Sequence, residues 1–124
     1  MIRTLEAEIE KRNGIAIIDL KGEISSRAES TFLDAFERAN DQHSRVILLN
    51  LEQVEYINSA GIALIIRMVA DARQTGCPVA VSGLSQHYRE IFHITRLDDF
   101  VTIFSDRDEA VRTLSKTLEN KEGR

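Results

Sequence analysis

The chain has 124 residues, 43% hydrophobic and 29% charged, with sixteen Lys and Arg against twenty Asp and Glu for a net charge of -4. That mixture suits one globular domain with a buried core, and it leaves no cationic excess for neutralising a nucleic-acid backbone. One Cys and one Pro exclude an internal disulfide framework and a proline-rich linker, and they fit a reducing, cytoplasmic setting.

No stretch approaches the roughly 18 successive apolar residues of a membrane span, and the opening MIRTLEAEIEK is too charged for a secretory leader. In TLEAEIEK, Leu5, Ala7 and Ile9 alternate with Glu6, Glu8 and Glu10, the period of a strand with one wet face. Its row of glutamates is a protected-edge pattern. Asn13-Gly14 supplies the positive-φ dipeptide of a type I′ turn, and IAIIDLKG follows as a more deeply buried strand, so residues 5–21 read as a hairpin.

After Gly22 the period becomes helical. Ala28, Phe32, Ala35, Phe36 and Ala39 share one face, with Ser26 and Glu29 spaced as a capping box. RVILLNL, residues 45–51, is a short apolar run of the kind a strand buried on both faces requires. A polar bridge, EQVEYINSAG, leads to a helix over 60–75, ended by Gly76 and Pro78. VAVSG reads as a buried strand, 85–94 as a helix with Tyr88, Ile91 and Phe92 inward, and FVTIF as the last strand. The closing helix rests on Ala110, Val111, Leu114 and Leu118, with Asp106 and Glu109 as its cap signature. The order β-β-α-β-α-β-α-β-α predicts an α/β fold: a mixed β-sheet with a hairpin start, alternating helices and largely parallel pairing. Residues 1–119 are expected to form a single domain and 120–124 a flexible tail.

Catalytic constellations are missing from this pattern. The six glycines are scattered singly, so no phosphate-cradling loop forms. His43, His87 and His93 are not spaced as metal ligands, and a single cysteine cannot build a thiolate zinc site. Cys77, between Gly76 and Pro78, has no basic neighbour to lower its pKa. Ser59 stands out by position, at the start of the 60–75 helix. A nucleophile elbow wants glycine two residues before the serine, where this chain has Ile57. Asn58 and Ser59 are both suited to N-capping. On a helical wheel, Ile62, Ile65, Ile66, Val69 and Ala72 form the inward stripe, with Arg67, Asp71 and Gln74 opposite. Ala60, Ala63 and Leu64 fall nearer the outer face, a small apolar ledge beside Ser59 that a docking partner could use.

At VILLNLEQVEYINSAGIALIIRMVADAR the sequence resembles the STAS domain family of anti-sigma-factor antagonists. Gly22-Glu23-Ile24, the block around Ser59-Ala60-Gly61, and HITRLDDFVTIFSDRDEAV follow the family pattern in order, so the resemblance runs through nearly the whole chain. It implies a non-enzymatic module without cofactor or metal. Ser59 would be phosphorylated by a partner anti-sigma factor that is also a serine kinase; the unphosphorylated form would bind that partner, and a phosphatase would reverse the mark. Asn58, Ala60, Gly61, Ala63, Leu64, Arg67 and Ser25 would form the partner-binding surface. The chain departs from the family's acids at Asn58, Asn50 and Ser25. Asparagine can cap and hydrogen-bond, but it cannot act as a base or neutralise a metal. Those departures fit an alternative: a constitutive STAS subunit of a larger signalling assembly or lipid-transport ATPase complex. A Ser59 hydrolase using His87 or His93 is a third reading. Oligomeric state is left open.

Overall fold

A computed structural model describes residues 4–41 and 43–122, the side chains of 121 and 122 excepted. Five strands, β1 (Glu6–Arg12), β2 (Ile15–Ile24), β3 (Val46–Ile57), β4 (Val79–Ser82) and β5 (Val101–Phe104), form one sheet. Four helices connect or follow them: α1 (Glu29–Ala39), α2 (Ser59–Gln74), α3 (Gln86–Ile94) and α4 (Arg107–Glu122). The strands lie side by side in chain order, β1 antiparallel to β2 and all later pairs parallel. The predicted mixed sheet and its hairpin are therefore present. Asn13 (φ 50°) and Gly14 (φ 87°) supply the two positive φ angles that let the turn follow the strand twist.

Alternation along the strands separates two cores. Ala16, Ile18 and Leu20 of β2, with Ile47, Leu49 and Leu51 of β3, face α1, α2 and α3. Ile15, Ile17, Val46, Leu48 and Ala80 face α4 through Ala110, Val111, Leu114 and Leu118. The first half of β3, residues 46–51, is buried on both faces because it lies mid-sheet with helices above and below. The expected stripe is buried throughout, with Phe32, Ala35, Phe36 and Ala39 in α1 and Ala28 as its N-cap, at the end of the 3-10 turn before it.

Several boundaries differ from the sequence reading. β3 continues six residues past Leu51, so most of the expected polar bridge is strand, paired with β2 as far as Ile57. Ser25, not Ser26, accepts the capping bond, from the Arg27 N–H, and it caps a 3-10 turn that precedes α1. α2 is rotated by about one residue from the predicted wheel. Gly61, Leu64, Ile65, Met68, Val69 and Ala72 face the core, Ile62 is half-buried, and Ile66 is 43% exposed. Phe92 of α3 is buried, while Tyr88 and Ile91 are half-buried. At α4 the expected cap is present: Asp106 accepts the Glu109 N–H at 2.8 Å, and Glu109 reaches back to the Ser105 N–H at 3.0 Å. α4 takes in residues 120–122; residues 123 and 124 of the expected tail lie outside the described residues. Among the described residues, no helix is long and apolar enough to cross a membrane.

Candidate functional site

Ser59 is placed by the ends of two parallel strands. Ile24 closes β2 beside Ile57, which closes β3. The chain then turns into α2, and the Asn58 N–H donates to the Ile24 carbonyl at 3.2 Å. Asn58 is extended (φ -91°, ψ -178°), and its Oδ1 accepts the Gly61 N–H at 2.9 Å. Its carbonyl accepts the Ile62 N–H at 3.0 Å, the first bond of the helix. Asn58 is thus the N-cap and Ser59 the first helical residue, its side chain exposed.

Gly61 explains how closely the helix start approaches the sheet. A Cβ at this position would lie 2.1 Å from the Ile24 carbonyl oxygen and 2.9 Å from Ile57 Cγ2. No side chain larger than hydrogen fits without moving backbone. The same contact sets the rotation of α2, turning Leu64 (7% exposed) into the core and correcting its expected place on the outer face.

The other predicted residues separate into a near group and a far one. Ser25 follows Ile24 and is half-buried, its Oγ accepting the Arg27 N–H at 3.3 Å, so the strand ends bring it beside Asn58 and Ser59. Ala60 is half-buried and Ala63, one turn along, is exposed. Arg67 is eight residues from Ser59, about 12 Å along the helix axis. It is half exposed and pairs with Glu29 of α1 at 3.6 Å. No acid lies in the first turn of α2. The helix start therefore presents outward-facing N–H groups and positive partial charge to anything placed on Ser59.

Asn50 lies elsewhere. The sequence reading set it beside Asn58 and Ser25 as a position where the family has an acid, and it took the strand to end at residue 51. β3 runs on, and Asn50 belongs to a cluster under α4: its Nδ2 donates to Asp19 Oδ1 at 2.8 Å, and its Oδ1 accepts from Ser82 Oγ at 3.2 Å. Arg107 completes that cluster, with Nε 2.9 Å from Asp19 and Nη2 2.8 Å from Glu10. The Asp19 carboxylate does most to raise the Arg107 pKa; burial, next in size, acts against it, and Glu10 adds to the rise. Arg107 thereby ties the start of α4 to β1 and β2.

Neither histidine of the hydrolase reading bonds to Ser59. His93 Nδ1 lies 3.0 Å from Asp98, and the His87 ring stands edge-on to Tyr88. Burial pushes the Cys77 thiol up, the wrong direction for a nucleophile. Among the described residues, no group of three His, Cys, Asp or Glu side chains is arranged to hold a metal ion. One relevant residue escaped sequence reasoning: the Ile57 N–H donates to the Tyr88 hydroxyl at 2.8 Å. The only signal was that a tyrosine on an inward helix face must find a partner for its polar tip.

Residues 6–110 match the STAS domain family. BtrV of Bordetella bronchiseptica, named as an anti-sigma factor antagonist, is 26% identical over 115 residues, covering 92% of this chain and 98% of BtrV. The anti-sigma-B factor antagonist of Listeria monocytogenes is 27% identical over 100 residues, covering 80% and 88% of the two chains. Among solved structures, the anti-sigma factor antagonist SpoIIAA in its unphosphorylated form superposes with a TM-score of 0.70 at 16% identity, covering 90% of this chain and 98% of its own. At that identity the likeness is one of fold.

Proposed function

The chain belongs to the STAS domain family, and from that premise we propose that it is an anti-sigma-factor antagonist switched at Ser59. Unphosphorylated, it binds a partner anti-sigma factor that is also a serine kinase; phosphorylated on Ser59 by that partner, it lets go, and a phosphatase restores it. It supplies no catalytic group and works in the cytoplasm. The observation that carries the reading is the exposed Ser59 side chain on the first residue of a helix braced by Asn58, Gly61 and Ile24.

The transferred group is the γ-phosphoryl of ATP: Ser59 Oγ forms the new bond, ADP leaves, and the hydroxyl proton goes to a base of the kinase or to water. Asn58 cannot take that proton, and its oxygen already accepts the Gly61 N–H. The phosphate adds about -1.5 to -2 charges. The helix start favours a negative charge by about 0.3–1 kcal/mol, so the fold has no reason to change. An unpaired charge enclosed in an interface costs about 2–5 kcal/mol, enough to release the partner. Ser25, Ala60, Ala63 and Arg67 form the contact surface in this reading, while Asn58 and Gly61 hold its frame.

Incubation with the partner kinase and ATP, followed by mass spectrometry, should place phosphate on Ser59 alone. Affinity capture with wild type, Ser59→Ala and Ser59→Asp should lose the partner only with Asp. A second reading, a constitutive STAS subunit of a larger assembly, draws support from the amide at Asn58 where the family has an acid. It predicts equal capture by all three proteins.

A further inference from the structure

β3 outruns β4. The four residues of β4 pair with Ile47–Asn50, so from Leu51 to Ile57 β3 has β2 on one side and, among the described residues, no strand on the other. Backbone groups on that open side need other partners. At the near end, the chain leaving β4 closes the gap at Gly83, where a Cβ would lie 2.7 Å from the Glu52 amide nitrogen. At the far end, α3 closes it through the Tyr88 hydroxyl on the Ile57 N–H. Between the two closures lies a cavity of about 120 Å³ whose lining includes Val54, Ile57, Leu84 and Tyr88. The flank is therefore fastened at its ends rather than packed along its length.

Tyr88 is itself held in place, because Ser85 Oγ, the N-cap of α3, accepts the Tyr88 N–H at 3.3 Å. Ile57 directly precedes the N-cap Asn58 and is two residues from Ser59. The start of α2 is thus gripped from both sides: by the Ile24 carbonyl on the Asn58 N–H from β2, and by the Tyr88 hydroxyl on the Ile57 N–H from α3. Only the second grip is a side-chain group. We propose that Tyr88 is a positioning residue for Ser59, and that α3 through this one hydrogen bond sets how firmly Ser59 is presented. Its consequence for phosphorylation rests on the switch reading above; the brace itself does not.

Tyr88→Phe keeps the ring and removes the hydroxyl. Phe92→Leu, a core change in the same helix, serves as the comparison that lowers stability without touching the bond. Native-state amide exchange should show Ile57 and Asn58, whose N–H groups donate to Tyr88 and Ile24, exchanging about tenfold faster in Tyr88→Phe, beyond any change in the rest of the sheet. In Phe92→Leu any acceleration should be spread over the domain. With a kinase that modifies wild type, Tyr88→Phe should lower kcat for Ser59 several-fold while KM holds, because Tyr88 lies outside the proposed contact surface. Unchanged exchange at Ile57 and Asn58 overturns the proposal, as does faster exchange with unaltered kcat. If wild-type Ser59 takes no phosphate, the switch reading fails, and exchange alone decides whether Tyr88 orders the turn.

Discussion

The Gly61 N–H points at Asn58 Oδ1, 2.9 Å away, so the residue before Ser59 and the residue two after it close the first turn of α2 between them. Removing the cap should cost about 1 kcal/mol. Urea denaturation of Asn58→Ala should show that loss. Asn58→Asp should stay within a few tenths of wild type, since Asp caps as well as Asn does. An equal loss in both variants would mean the cap is not what this side chain contributes.

Gly61→Ala tests the clamp from the other side. In an unconstrained helix this change gains about 1 kcal/mol. Here the added methyl would meet the Ile24 carbonyl oxygen at 2.1 Å, a backbone atom that cannot swing away. Overpacking of this kind costs about 1–3 kcal/mol, so the net effect should be destabilising. A neutral or stabilised variant in guanidinium unfolding would show that the helix start is free to shift.

Ser59→Glu places a charge on the first residue of α2, where no acid is present. Its stability should match wild type or exceed it by about 0.3–1 kcal/mol, with an unchanged far-ultraviolet circular dichroism spectrum. Loss of helix signal would instead point to a switch that melts the start of α2.

Arg107 should matter for stability at a distance from Ser59. Its side chain is 21% exposed and that of Asp19 is 30% exposed, so the pair is neither a surface bridge nor a fully buried one. Arg107→Met should lower the unfolding free energy by about 1–2 kcal/mol, between the values typical of those extremes. Adding Asp19→Asn should restore part of it, measurable as a coupling energy in a double-mutant cycle.

Glu10 gives a pH dependence whose sign follows from its partners. Arg12 first and Arg107 next hold its carboxyl below the ordinary value of 4.5. A group with a lowered folded-state pKa adds stability above its unfolded value, and that contribution is lost as the pH falls through the folded one. Carbon-13 NMR should therefore find Glu10 titrating below 4.5, with Arg12→Gln moving the midpoint upward. Glu10→Gln should flatten the fall in melting temperature on the acid side of that pH.

Local patterns in the sequence were legible and long-range ones were not. The Asn13-Gly14 turn and the α1 stripe depend on residues a few positions apart, and both stand as read. The second half of β3 was taken for a bridge because EQVEY carries no buried stripe. It needs none, having β2 beside it and, among the described residues, no strand on its other edge. The rotation of α2 depends on Gly61 meeting Ile24, a contact that no periodicity within the helix encodes. Asn50 looked like a neighbour of Ser59 by motif, yet strand register carries it to Asp19 and Ser82. For Ser59, position could be read from the chain, but its supports come from β2 and α3.

The sheet's spatial order repeats its order along the chain. As the polypeptide leaves the ribosome, each new strand meets a neighbour that has already been synthesised. Everything that frames Ser59, from Ile24 to Tyr88, emerges before β5 and α4. The Ser59 face can thus assemble first, and the last helix closes the opposite side of the sheet with Arg107 as its fastening.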